Sequence, residues 1–269
     1  METNQFISFK NCTVFYRASG QGKTVMLVHG FCEDGNIWND LIKKLEKNFR
    51  VIVPDIPGSG KSTNLKVEDT PVSIDDYAEV LIQVLKNESV SDCTVIGHSM
   101  GGYITLAIAE KHPGILNGFG LFHSTAFADN EERKQTRLKS IDFIQTHDAV
   151  SFLRTAIPGL FTDKFKQEHA DVIEKLIDAG SSFSSETLIQ YQKAMINRPE
   201  RKIVLQKTRL PVLFIIGEKD QVIPVQQSLE ECHLPFVSNV HILPNAAHMS
   251  MLEESELCAD IIISFLSMV

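Results

Sequence analysis

A chain of 269 residues that is 43% hydrophobic and 22% charged has the make-up of an ordinary globular protein with a sizeable core; it excludes disordered and fibrous architectures and bounds the chain at one to two domains. Its formal net charge of -8, from 26 Lys and Arg against 34 Asp and Glu, is the wrong sign for non-specific phosphate binding, so no nucleic-acid partner is expected. Glu2 stands where a secretory signal would carry Lys or Arg, and no apolar run reaches the ~18 residues of a membrane span, so a cytoplasmic chain without membrane contact is the expectation.

In chain order, residues 6–9 and 13–16 read as a hairpin at a sheet edge, turning at Asn11-Cys12. Buried strands follow at 24–28 (TVMLV), 51–54 (VIVP), 94–96 and 118–122 (GFGLF). Between them, 37–45, 74–85 and 100–111 carry apolar residues at helical spacing, and Ser73 with Asp76 opens the second as a capping box with Asp in place of Glu. From about Thr125 to Arg201 no strand-like run occurs; the segment reads as amphipathic helices broken at His147-Asp148, Pro158-Gly159, 180–182 and Pro199. Strands return at 212–216 (VLFII) and 240–243 (VHIL), each followed by a helix, 225–232 and 251–266. The predicted fold is α/β: a mostly parallel central sheet of about eight strands flanked by helices, with a helical cap inserted after the sixth strand. Its domains are a core of 1–124 with 202–269 and a cap of 125–201.

Cys12, Cys32, Cys93, Cys232 and Cys258 are odd in number and include no Cys-x-x-Cys pair, so they read as free thiols. No His/Cys/Asp/Glu cluster has metal spacing and Gly-x-Gly-x-x-Gly is absent, so neither a metal nor a cofactor is implied. The run Gly58-Ser59-Gly60-Lys61-Ser62 fails as a phosphate loop, because Asp55 stands where the first glycine is required.

The sharpest signal is Gly97-His98-Ser99-Met100-Gly101-Gly102, a Gly-x-Ser-x-Gly that directly follows a strand and opens a helix. A turn that tight forces the serine into strained backbone, and the flanking glycines remove Cβ atoms that would collide with the neighbouring strand and helix. Ser99 is therefore the candidate nucleophile. Together with His29-Gly30-Phe31, Trp38, Leu41, the run from Asp55 to Ser62, Asp220 and His248, this turn makes the chain resemble the α/β-hydrolase family, in particular its small cytoplasmic members with a helical cap. The resemblance spans almost the full length.

A serine hydroxyl needs an adjacent base, and the base needs a carboxylate to orient it. The resemblance implies His248, in the loop after the last strand, as the base; His241 is its nearest rival but sits inside a predicted strand. Asp220, after the VLFII strand, is the implied acid, with Glu218 and Asp129 as rivals. The oxyanion formed in acyl transfer calls for two N–H groups, and the resemblance implies those of Phe31 and Met100. His29 reads as a brace of its loop. His123 and Ser124 close the sixth strand at the same mouth, as loop anchors or as substrate contacts, and the candidate substrate-binding residues are His123, Phe143, Phe161 and Tyr191.

These residues point to a cofactor-independent serine hydrolase of a small carboxylic ester or related acyl compound, acting as a monomer or homodimer on a small-molecule substrate. Serine at 99 argues against the dehalogenase and epoxide hydrolase chemistries of relatives with an Asp nucleophile, and Cys32 stands where perhydrolase relatives carry Pro. Two alternatives are a carbon–carbon bond hydrolase of a diketone and a hydrolase-like receptor worked by cap movement.

Overall fold

A computed structural model describes residues 2–269. The hairpin is β1 (Thr3–Phe9) and β2 (Cys12–Ser19). It turns one residue earlier than predicted, at Lys10-Asn11, where Lys10 takes the left-handed conformation (φ 52°) and Cys12 pairs with Phe9. β3 (Thr24–Val28) is buried at every position, as a β-branched and aliphatic run inside a sheet should be, and leads into α1 (Asn39–Leu45) and β4 (Arg50–Pro54). α2 (Ile74–Asn87) opens with the expected capping box: Ser73 Oγ accepts the Asp76 N–H, and Asp76 Oδ2 accepts the Ser73 N–H at 3.1 Å. β5 (Cys93–His98), α3 (Met100–Lys111) and β6 (Leu116–Phe122) complete the first half.

No strand occurs between β6 and β7. The chain runs through α4 (Glu131–Thr146), α5 (Ala149–Ala156), α6 (Asp163–Glu168), α7 (Ala170–Gly180), α8 (Ser185–Ile196) and α9 (Lys202–Lys207). Asp148 caps α5 by accepting the Ser151 N–H at 2.7 Å, so the expected break at His147-Asp148 is a helix start. The break between α6 and α7 at His169 is marked by neither Gly nor Pro, and the short α9, although it follows the expected break at Pro199, has too few residues to show a period. β7 (Pro211–Gly217), α10 (Val225–Leu229), β8 (Val237–Leu243), α11 (Ser250–Glu253) and α12 (Ser255–Met268) follow. The expected final helix is thus two, divided at Glu254, whose φ of -138° is not helical.

The strands form one sheet in the order β1-β2-β4-β3-β5-β6-β7-β8, antiparallel at β1/β2 and β2/β4 and parallel elsewhere. α2 packs on α3 and α1 on α12. Ten of the twelve residues of α3 are buried, because this helix is covered on all sides. The order puts the carboxyl ends of β3, β5, β6, β7 and β8 along one edge, where groups gather in open parallel sheets. Among the described residues no helix is long and apolar enough to cross a membrane.

Candidate active site

Ser99 stands between β5 and α3 with φ 51° and ψ -115°, a left-handed backbone that L residues avoid. The turn holds because its surroundings leave no alternative. A Cβ on Gly97 would lie 2.1 Å from the Gly101 carbonyl oxygen, and one on Gly101 would lie 2.4 Å from that of Val28. The Ser99 N–H donates to the Phe122 carbonyl at 3.0 Å, and Ser124 Oγ donates to the Ser99 carbonyl at 2.8 Å, so β6 and its following loop lock the strained residue from both sides. Ser124 is a loop anchor.

His248 follows β8, and its Nδ1–H donates to Asp220 Oδ2 at 2.7 Å, both side chains being buried. The other carboxylate oxygen, Oδ1, accepts the N–H groups of Val222 (2.7 Å) and Ile223 (2.9 Å). One oxygen is therefore spent on the loop's backbone and the other on the imidazole. Burial alone would raise the Asp220 carboxyl, but the His248 imidazole outweighs it and holds the carboxyl far below the usual carboxylate range. The rivals are elsewhere. Asp129 is a buried partner of Arg137 (2.6 Å) and Arg198 (2.9 Å), and Glu218 is exposed. His241 turns its Nε2 to Asn239 Oδ1, within β8.

The loop after β3 abuts the serine. A Cβ on Gly30 would meet the Ser99 Cβ at 3.1 Å, so only glycine lets the backbone of this loop come so near. His29 braces it as expected: its Nδ1–H donates to the Gly30 carbonyl and its Nε2 accepts the Ile56 N–H, each at 2.9 Å. Phe31 comes next. Met100 is the first residue of α3, where an N–H has no helical carbonyl to bond, and neither amide is taken up by another group among the described residues.

Aromatic rings of the helical segment reach Phe31. Phe152 of α5 and Tyr191 of α8 stand edge-on to it at 6.0 Å and 6.3 Å between centroids, and the Tyr191 hydroxyl donates to the Pro57 carbonyl at 2.8 Å. Phe143 lies one ring further out, 6.5 Å from Phe152. Phe161 stacks on Phe165 at 5.1 Å, and the neighbouring Leu160 carbonyl accepts the His248 N–H at 3.0 Å. His123 requires a correction, because its side chain is enclosed and both of its ring nitrogens are engaged within the protein. Its Nδ1 accepts the Gly217 N–H and lies 3.4 Å from Asp220 Oδ2, while Nε2–H donates to Ser250 Oγ at 2.7 Å. Burial pushes this imidazole down to about 4, so it stands as a neutral ring that ties β7 to Ser250.

Two buried residues had not been singled out from the sequence. Glu33 and His98 face each other behind the serine, with His98 Nδ1 3.0 Å from Glu33 Oε2. A hint existed in the acid three residues beyond Gly30 and in the histidine before Ser99, but no local pattern marks a charge as buried.

The chain as a whole resembles known proteins. The family described as serine aminopeptidase, S33, matches residues 20–255. A 2-hydroxy-6-oxo-6-(2'-aminophenyl)hexa-2,4-dienoic acid hydrolase of Metapseudomonas resinovorans is 25% identical over 98% of this chain and 90% of its own. A pimeloyl-[acyl-carrier protein] methyl ester esterase of Vibrio atlanticus is 22% identical over 94% of this chain and 98% of its own. The solved structure of a thermophilic esterase from Thermogutta terrifontis, with malate bound, superposes with a TM-score of 0.91 at 25% identity, covering 98% of each chain. With the matched family extending through most of both its sheet and its helical segment, the chain belongs to the α/β-hydrolase family, in the group described as serine aminopeptidase S33.

Proposed function

We propose that this α/β hydrolase cleaves small carboxylic esters or related acyl compounds through an acyl-enzyme on Ser99. The observation that carries the reading is the 2.7 Å contact of His248 Nδ1 with Asp220 Oδ2, which leaves His248 Nε2 as the free nitrogen of the ring. Nε2 takes the Ser99 hydroxyl proton as the oxygen attacks the carbonyl, and returns it to the leaving alcohol. The ionised Asp220 keeps the ring in this tautomer and stabilises the imidazolium. The amides of Phe31 and Met100 receive the oxyanion, and water activated by His248 then releases the acid. In this reading residues 125–201 act as a cap, whose Phe152 and Tyr191 against Phe31 supply an apolar wall for the acyl group.

Carbon–carbon bond hydrolysis is the second reading, favoured by the dienoic acid hydrolase among the relatives. A panel of p-nitrophenyl esters, lactones and diketones, run with wild type and Ser99→Ala, tests both. Ester turnover should fall by roughly 10³-fold or more in Ser99→Ala, and a fluorophosphonate should mark Ser99 in peptide mass spectra. Ester turnover retained by Ser99→Ala sinks the nucleophile assignment; a response confined to the diketones replaces the first reading with the second.

A further inference from the structure

His98 lies between three segments that the proposed chemistry needs together. Its Nδ1 is 3.0 Å from Glu33 Oε2 and its Nε2 is 2.9 Å from the carbonyl oxygen of His248. Both are acceptors. A neutral imidazole carries one N–H, so only the doubly protonated ring satisfies the two contacts at once. Glu33 Oε2 in turn accepts the Gly30 N–H at 2.6 Å, directly before Phe31. The chain of contacts thus runs from the loop carrying one oxyanion amide, through the residue preceding Ser99, to the backbone of the base.

We propose that Glu33 and His98 form a buried carboxylate–imidazolium clamp in which His98 is a positioning residue, holding the backbone of His248 and the Gly30-Phe31 loop in one register around Ser99. The clamp touches no substrate. Its role rests on the proposed function, since it positions that reading's base and oxyanion amides. The surroundings suit a charge pair: Glu33 faces His98 from the loop after β3, while His248 and His123 stand 4.8 Å and 6.1 Å from it between ring centroids. Asp220, from the loop after β7, adds a second carboxylate to its surroundings. Burial would lower the imidazole, but Glu33 outweighs it and raises His98 above its ordinary value, while His98 lowers Glu33 against its own burial. A clamp made of one charge pair transmits a shift of either loop to the other, and sub-ångström displacement of catalytic groups is costly in rate.

The test combines nitrogen NMR of the full-length protein with kinetics counted per active site by fluorophosphonate titration. In wild type at pH 7 both ring nitrogens of His98 should carry protons. Glu33→Gln, which keeps the shape and removes the charge, should lower kcat for a p-nitrophenyl ester by about 10- to 100-fold with KM within about twofold, and Glu33→Asp should recover part of the loss. A merely structural role would reduce the yield of titratable sites and leave kcat per site alone. One bare ring nitrogen on wild-type His98 overturns the clamp, as does Glu33→Gln with kcat per site within twofold of wild type. If Glu33→Gln does not fold, the wild-type spectrum decides. Failure of the hydrolase reading is separate: Ser99→Ala would then match wild type on the esters, with turnover or without it, whatever the state of His98.

Discussion

At the scale of single residues, the carboxylates of this chain divide by what they face. Asp220, Glu218 and Asp129 all lie on loops beyond strand ends, yet only Asp220 meets His248. Asp220→Asn should lower kcat by about 10⁴-fold, because the amide leaves the imidazole in the wrong tautomer. Glu218→Gln should remain within about twofold of wild type. Asp129→Asn should instead cost about 3 kcal/mol in chemical denaturation, since it leaves Arg137 and the buried Arg198 without their shared anion. A collapse of kcat in either rival with Asp220→Asn near wild type would reassign the acid. Glu231 presents the opposite electrostatics. It is fully enclosed, its Oε2 accepts from Thr125 Oγ1 and the Ala126 N–H, its Oε1 has no partner among the described residues, and burial pushes it up to about 8. Between its ordinary value and 8 the folded state holds a proton that the unfolded state has lost, so this residue makes stability fall as pH rises through that window and level off above it. Glu231→Gln should remove the slope, standing several kcal/mol above wild type at pH 8 and little different at pH 4.5, on roughly 1.4 kcal/mol per pH unit. Denaturation curves of the pair at both pH values check the sign; a variant less stable than wild type at pH 8 refutes it.

At the scale of elements, glycine substitutions separate geometry from propensity. Gly97→Ala places a methyl 2.1 Å from the backbone oxygen of Gly101, where no side chain can move aside, and should cost at least ~3 kcal/mol and displace the Ser99 turn. Gly114→Ala meets nothing within 4 Å and should be neutral or stabilise by up to ~1 kcal/mol, through the unfolded chain alone. Thermal unfolding of the two variants side by side tests this; equal effects would mean that close approach does not hold the turn. Elements were legible where burial or capping leaves a mark in the local sequence. The all-buried β3 and the capped α2 stood out, while α9 and the division of α11 from α12 did not, because short helices are held by the neighbours they pack on rather than by their own pattern.

Across the whole molecule, the two ends of the helical segment meet. The Arg201 N–H donates to the Ala126 carbonyl at 2.7 Å, and the Arg201 side chain bonds Asp75 with one nitrogen and Glu110 with another. The segment is thus stapled to α2 and α3 at its exit, beside the loop it leaves by. Arg201→Ala should cost about 2 kcal/mol, the acids being partly exposed, and should speed hydrogen exchange in residues 125–201 while leaving the amides of β5 and β6 protected. Uniformly faster exchange over the entire chain would show that the segment has no motion of its own.

Local burial and turn chemistry are local properties of the chain, so the sequence alone determined the alternation of strand and helix and the strained serine turn between Gly97 and Gly101, while Asp220 and His248 became candidates through the family resemblance. It could not decide which carboxylate meets which imidazole, because that contact depends on β7 and β8 lying side by side, and the residues concerned are separated by 28 positions. For the same reason His123 read as either a loop anchor or a substrate contact until the folded sheet enclosed it against Ser250 and Gly217. Glu33 and His98, 65 residues apart, became a pair only when β3 and β5 were laid parallel and neighbouring. Tertiary structure decides such contacts because a buried charge is tolerable only beside its partner, and the partner is supplied by topology rather than by spacing along the chain.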